Sequence, residues 1–322
     1  MKQPTAIGID IGGTNIRVGL VDDRGRILAQ ESFLTRLFRG RSRMLAELER
    51  RAVPFQALAR ATKRPLAGVG IGAPGAIDVE RGFVYFLPNI RGWENTPLKK
   101  ILERRLRIPV FIDNDANAMA LAEHRFGAGR GSENFIGLTL GTGVGGGIVL
   151  GGKLYHGGAY SAAEVGHITV NEAGPVCACG NRGCVETYVG NRYFLQEALR
   201  RLKKDPRGLL GRWVKAGQGL TPELIEKAAK KGDRLSKRLW EDTGVHLGTA
   251  LAGLVNVLNP ERIVVGGGIA RAGRLIFGPV ERTIQKKAFP IAAASVKVLP
   301  ATLGTDAGVI GAAALAFADR WP

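Results

Sequence analysis

The sequence predicts an α/β protein built from two related domains, and three observations carry that expectation. Apolar strand-length runs alternate with amphipathic helical segments along the whole chain, which is the pattern of α/β folds rather than of separate α and β blocks. Residues 5–21 (TAIGIDIGGTNIRVGLV) read as strand, glycine turn, strand, and residues 134–154 repeat that plan. A third glycine loop, Gly266 to Gly268, closes the strand at 262–265. At 322 residues and 45% hydrophobic content the chain can bury a full core, and a prior of about 150 residues per domain gives two.

In chain order, the first hairpin turns at Gly12, Gly13 and Thr14. Glycine there permits positive φ and lets backbone N–H groups approach an anion. Asp10 ends the first strand, placed to hold a metal ion or its water shell. A turn at 22–25 and a third strand at 26–33 precede a helix over 41–63, which Pro54 is expected to kink or divide. The strand at 66–71 runs into 72–75, expected to be a loop because Pro74 cannot pair in a ladder. A strand at 83–87 is followed by Pro88, Asn89 and Trp93, then by a basic amphipathic helix at 97–106. The strand at 107–111 leads into Asp113, Asn114 and Asp115, where a helix of small residues, 116–123, begins. A helix cap needs one such residue, and here three polar side chains are consecutive. An Asp at this edge can orient a substrate hydroxyl and accept its proton.

Beyond the second glycine turn, helices are expected at 192–204, at 221–231 with Pro222 in the first turn, and at 234–257, stopped by Asn259 and Pro260. In open α/β sheets, ligands bind outside the carboxyl ends of strands where a glycine turn leads into a helix, which draws attention to the loop at 266–268. A strand at 295–300 and a closing helix at 307–318, capped by Asp306, complete the chain.

All three cysteines, Cys177, Cys179 and Cys184, follow His167 closely, and Glu164 and Glu186 bracket the group. Thiolate and imidazole are the usual ligands of closed tetrahedral zinc sites, three Cys with one His being a common set. The competing reading is three free thiols in a reduced protein; the glycines that bend this stretch favour the metal. Cysteines this few and clustered build no disulfide framework and indicate a reducing compartment. With no signal-like start and no run of eighteen apolar residues, a soluble cytoplasmic protein is expected. The net charge is +18, from 46 Lys and Arg against 28 Asp and Glu. The cations concentrate in 36–51, 99–107, 200–215 and 227–238, segments of helical apolar spacing. Solvated helix faces look like this, which outweighs nucleic acid as a partner. A polyanionic substrate such as ATP or polyphosphate would also be attracted by the field.

DIGGT (10–14), LGTGVGGG (140–147) and VVGGG (264–268), in that order, resemble the two phosphate loops and the adenosine loop of the sugar kinase, Hsp70 and actin superfamily. Within it, EVGH (164–167) followed by CxCGxxGCxE (177–186) resembles the ROK family of repressors, open reading frames and kinases. The resemblance covers nearly the whole chain. It implies two actin-like (ribonuclease H-like) α/β domains with a cleft between them. The N-terminal domain would be 1–113, joined by the closing helix at about 307–322, and the larger C-terminal domain 114–306, with the zinc loop at 164–186. It also implies ATP and Mg²⁺, a structural Zn²⁺ on His167, Cys177, Cys179 and Cys184, and Asp115 as catalytic base. Gly72, Asn89, Asn114, Glu164, His167 and Glu186 would meet the sugar. Asp10, Gly12, Gly13, Thr14, Asn15, Thr142, Gly143, Gly266 and Gly267 would surround the nucleotide and its magnesium. Asn15 stands where the family's phosphate loop has lysine, and the arginine-rich stretch 36–43 departs from the pattern.

The activity so implied is ATP-dependent phosphorylation of a hexose, glucose at its 6-hydroxyl foremost. N-acetylglucosamine, N-acetylmannosamine, mannose or fructose are the alternatives, and a non-catalytic sugar-sensing regulator is the alternative of another class. Repressors of the family carry a helix-turn-helix ahead of DIGGT, and so few residues precede the first strand that none is expected. Family members commonly form homodimers or homotetramers, and no membrane partner is implied.

Overall fold

The computed structural model describes residues 2–37, 40–88 and 92–317; Asn89 and Ala318, the expected end of the closing helix, lie outside them. The chain divides into two compact units. One comprises Met1–Glu133, Gly147–Ala163 and Thr302–Pro322, the other Asn134–Gly146 and Glu164–Ala301.

In the first unit, β1 (Thr5–Ile11), β2 (Asn15–Asp22) and β3 (Ile27–Leu34) pair antiparallel, and β4 (Leu66–Ala73) and β7 (Val110–Asn114) continue the sheet parallel to β1, in the order β3-β2-β1-β4-β7. A separate hairpin joins β5 (Ala76–Asp78) to β6 (Phe83–Phe86). The helices are α1 (Arg41–Ala61), α2 (Leu98–Leu106), α3 (Asp115–Phe126) and α11 (Ala307–Leu315).

Alternation along β1 assigns the layers. Ile7, Ile9 and Ile11 are fully buried with Met44 and Leu48 of α1 and Leu98 and Leu102 of α2. Ala6 joins Ala313 and Phe317 in a different cluster. Glycine brings α11 unusually close there: a Cβ on Gly8 would lie 2.0 Å from the Val309 carbonyl oxygen, and one on Gly70 only 1.7 Å from that of Ala312.

Pro54 does not divide α1, which runs unbroken from Arg41 to Ala61 with the proline inside it. A proline inside a helix costs about 3 kcal/mol, and each large apolar side chain that is fully buried returns about 1.5–3 kcal/mol. Since α1 buries Met44, Leu45, Leu48 and Phe55 while Pro54 itself faces solvent, packing wins. Two strand boundaries also move. Gly72 and Ala73, expected in a loop, are the last residues of β4, paired with Asp113 and Asn114 of β7. Arg107, expected in a strand, is the left-handed C-cap of α2 at φ 55°, and β7 runs on through Asn114.

The second sheet has the order β10-β9-β8-β11-β12, from β8 (Phe135–Leu140), β9 (Val144–Leu150), β10 (Lys153–Leu154), β11 (Arg262–Gly266) and β12 (Lys297–Pro300), with β11 parallel to β8 and β12. The second unit's helices are α4 (Glu186–Val189), α5 (Asn191–Lys204), α6 (Leu209–Lys215), α7 (Pro222–Lys230), α8 (Arg234–Leu258), α9 (Arg274–Lys287) and α10 (Pro290–Ser295). Thr221 caps α7 through its Oγ1, which accepts the Leu224 N–H at 3.2 Å, with Pro222 in the first turn as expected. Asn259 ends α8 in the left-handed region. Asp306 does not cap α11: it closes a 3-10 turn with helical backbone angles, and its side chain receives no N–H from the helix.

Candidate functional site

Strand register assembles the first group of candidates. Asp10 of β1 pairs with Gly72 of β4, and Gly72 with Asp113 of β7, so these three form one row across parallel strands at their carboxyl ends. Asn114 and Asp115 follow at the start of α3. The turn that leaves β1 is closed by the Gly12 N–H donating to the Asn15 carbonyl at 3.0 Å, and is pinned by Thr35, whose hydroxyl donates to the Gly12 carbonyl at 2.7 Å. Gly12 serves close approach rather than positive φ: neither it nor Gly13 is left-handed, and a Cβ on Gly12 would lie 2.7 Å from the Asn15 oxygen. Gly13 and Thr14 are exposed, which leaves their backbone open to an anion.

Only 17% of the Asp10 side chain is exposed. Burial, and then the negative charge of Asp115, push its pKa up to about 6, against the opposing pull of Arg17, whose Nη1 lies 3.7 Å away. Asp10 and Asp115 thus sense each other's charge. Asn114 is the N-cap of α3, its Oδ1 accepting the Ala116 N–H at 2.8 Å while its Nδ2 donates to the Gly75 carbonyl at 3.3 Å. Asp115 occupies the first helical position, where the helix dipole favours a carboxylate, and its Oδ1 accepts the same N–H at 2.9 Å.

The sequence named Asp113 without giving it a role and passed over His156, which the structure brings beside it. The buried Asp113 carboxylate accepts from the Asn114 N–H at 2.7 Å and Asn117 Nδ2 at 2.9 Å, and its Oδ2 lies 2.7 Å from His156 Nε2. The hydrogen bond that His156 donates to the Asp113 carboxylate holds the imidazole above its usual range. Nothing in the spacing signals this pair, because 43 positions separate the two residues.

In the second unit, the turn between β8 and β9 contains Thr142 and Gly143, closed by the Gly141 N–H donating to the Gly143 carbonyl at 3.0 Å. Gly266 ends β11, and Gly267, at φ 92°, packs against Leu140, where a Cβ would lie 2.3 Å from the Leu140 oxygen. The three glycine stretches therefore sit as expected, each at the carboxyl end of its strand.

His167, Cys177, Cys179 and Cys184 converge, with their ligand atoms all within 4.8 Å of one another. Cys179 Sγ lies 3.8 Å from Cys184 Sγ, and Cys177 Sγ 3.7 Å from His167 Nδ1. A tetrahedron of Zn–S bonds of about 2.3 Å has edges of about 3.8 Å, whereas a disulfide requires about 2.05 Å. The donor set and its spacing fit zinc. Burial pushes the Cys184 thiol up to about 12, and a bound cation would offset that by holding thiolates. With Nδ1 turned to the sulfurs, His167 Nε2 faces Glu164, 3.9 Å from its Oε2. Glu164 is exposed at the start of the 3-10 turn Val165–His167, directly after Ala163, whose φ of 65° is left-handed. Glu186 opens α4, and its Oε2 accepts the Val144 N–H at 3.0 Å.

Two α/β units and two strand–glycine turn–strand hairpins, β1–β2 and β8–β9, make this an actin-like (ribonuclease H-like) fold. The chain belongs to the ROK family, whose model matches residues 6–319. It is 38% identical over 318 residues to a glucokinase of Thermotoga maritima, covering 98% of each chain. It is 32% identical over 313 residues to a xylose repressor of Caldicellulosiruptor bescii, covering 97% of this chain and 78% of the repressor. Among solved structures, a ROK family glucokinase from Streptomyces griseus in complex with glucose and AMPPNP superposes with a TM-score of 0.77, is 36% identical, and covers 97% of this chain and 98% of that one.

Proposed function

We propose that glucose is the substrate of this ATP-dependent sugar phosphotransferase and that its 6-hydroxyl is the acceptor. The observation that carries the reading is the strand register: Asp10, just before a glycine turn, lies in one row with Gly72 and Asp113, and Asp115 follows two residues later as the first residue of α3. Similarity to glucokinases along the full chain supports the choice of sugar.

In this reading Asp115 is the base. It accepts the proton of the sugar hydroxyl, whose oxygen forms the new bond to the γ-phosphorus as the bond to the β-phosphate oxygen breaks and ADP leaves. Asn114 and Asp113 fix the start of α3 so that Asp115 is held in one place, and positioning is most of what such a reaction asks of the protein. Exposed backbone at Gly13, Thr14, Thr142 and Gly267 would receive the nucleotide. Magnesium would be held at Asp10 and would spread the phosphate charge. Zinc would be held by His167, Cys177, Cys179 and Cys184, as a structural clamp on the loop carrying Glu164 and Glu186. The imidazole of His167 is then committed through Nδ1, leaving Nε2 beside Glu164 for a sugar hydroxyl. A homodimer or homotetramer is the proposed assembly.

Release of ADP, measured across glucose, mannose, fructose, N-acetylglucosamine and N-acetylmannosamine with ATP and polyphosphate as donors, tests the proposal. The expected result is the highest kcat/KM on glucose with ATP, and a loss of about 10²–10⁴-fold in kcat for Asp115→Asn with sugar binding kept. Likeness to a repressor keeps the sugar-sensing reading in the test. Sugar binding without any sugar-dependent ADP would establish that reading in place of the enzyme.

A further inference from the structure

Glu186 follows Cys184 by two residues, yet its carboxylate is turned onto the glycine turn between β8 and β9. Besides the bond from the Val144 N–H at 3.0 Å, its Oε2 occupies the space beside Gly143, where a Cβ would lie 2.2 Å from it. Glu186 Oε1 is 4.0 Å from Cys177 Sγ. The same turn is held at two further points. The Asn191 N–H, at the start of α5, donates to the Gly141 carbonyl at 2.9 Å. Gly166, the residue before His167, lies so close that a Cβ on it would be 2.3 Å from the Val144 oxygen. The turn is therefore gripped by Gly166, which adjoins the first of the four candidate metal ligands, and by Glu186, two residues beyond the last.

We propose that the metal loop is a brace for the phosphate-binding turn at 141–144, with Glu186 as the positioning residue that transmits it, so that removing the metal weakens nucleotide binding and not sugar binding alone. This rests on the reading of that turn as a nucleotide site. The physical case is that a backbone N–H donated to a charged acceptor is a strong restraint. A carboxylate whose own backbone is fixed two residues from a metal ligand can impose that restraint only while the loop keeps its shape. Glycine at 143 and 166 is required by the same contacts, since either side chain would force the brace and the turn apart.

Calorimetric binding of a non-hydrolysable ATP analogue, with magnesium and without sugar, to the zinc-loaded protein gives the first readout. Glu186→Ala should weaken binding about 10- to 100-fold, as loss of a hydrogen bond to a charged group does. Glu186→Gln, whose amide oxygen can still accept the Val144 N–H, should recover most of it. An unchanged affinity in Glu186→Ala would overturn the proposal by reducing Glu186 to a sugar contact. The second readout needs no variant and no nucleotide: amide exchange in the wild-type protein before and after chelation. Val144 should exchange at least about tenfold faster without metal while Leu138, inside β8, keeps its rate. Unchanged exchange at Val144, or equal acceleration of both amides, would refute the brace. If no form binds the analogue, the functional reading falls, and the exchange rates still decide whether the loop holds the turn.

Discussion

Replacing Asp10 by Asn should make the protein more stable at neutral pH while removing activity. Its carboxyl is raised from 3.8 to about 6, mostly by burial. Because the folded-state pKa lies above the unfolded one, the group's stabilising contribution is complete below about pH 3.8 and is lost as pH rises through about 6. A shift of about 2 units at 1.36 kcal/mol each amounts to about 3 kcal/mol, of which about 2 kcal/mol falls between pH 4.5 and 7.5. Asparagine keeps the shape and carries no charge to bury, and Arg17 retains the Thr305 carbonyl, to which its Nη1 donates at 2.8 Å. Urea unfolding of both proteins at pH 4.5, 6.0 and 7.5 measures the gap directly. It should widen in favour of Asp10→Asn by about 2 kcal/mol across that range. Magnesium nucleotide should narrow it again at pH 7.5 by stabilising only the wild-type protein. A gap that stays flat with pH would mean that burial does not perturb Asp10, and the cost assigned to the paired carboxylates would be withdrawn.

Two further outcomes test other parts of the site. Cys179→Ser should leave well under one zinc per chain by elemental analysis and raise the KM for sugar; full activity in a zinc-free variant would remove the metal loop from function. For His156, Asp113 raises the folded pKa, so its contribution is complete below about pH 6.5 and disappears as pH rises through the higher folded value. His156→Gln should therefore lose less stability than the wild-type protein between pH 6 and 9 in urea titrations, and parallel losses would show that the pair does not couple to folding.

Local chemistry was legible in the sequence wherever the determinants are neighbours. The hairpin of β1 and β2, the Thr221–Pro222 start of α7, the Asn259 stop and the Cys–His cluster all depend on residues within a few positions, or a short loop, of each other. What the sequence withheld depends on partners far along the chain. Gly72 and Ala73 became strand because Asp113 and Asn114 lie alongside to pair with them. The reading contained no helix at Arg274–Lys287, where Gly278 and Pro279 break the local signal. It forms against α8, whose Gly244 and Gly248 make room for Pro279 and Thr283. The hydrogen bond from the Val144 N–H to Glu186 was equally hidden, since 42 positions separate the carboxylate from the glycine turn it reaches.

The near-contact of α11 with β1 and β4 also dictates an order of events during synthesis. The helix that fills the space over Gly8 and Gly70 is made after the other described strands and helices, whereas the strands beneath it are made early. By the time α11 leaves the ribosome, every residue of the second unit has already been translated. The first unit must therefore wait, with one apolar sheet face uncovered, while the second is free to close. Its vulnerable interval is this wait, when an uncovered sheet is prone to associate with other chains, and any lesion that delays or removes α11 prolongs it.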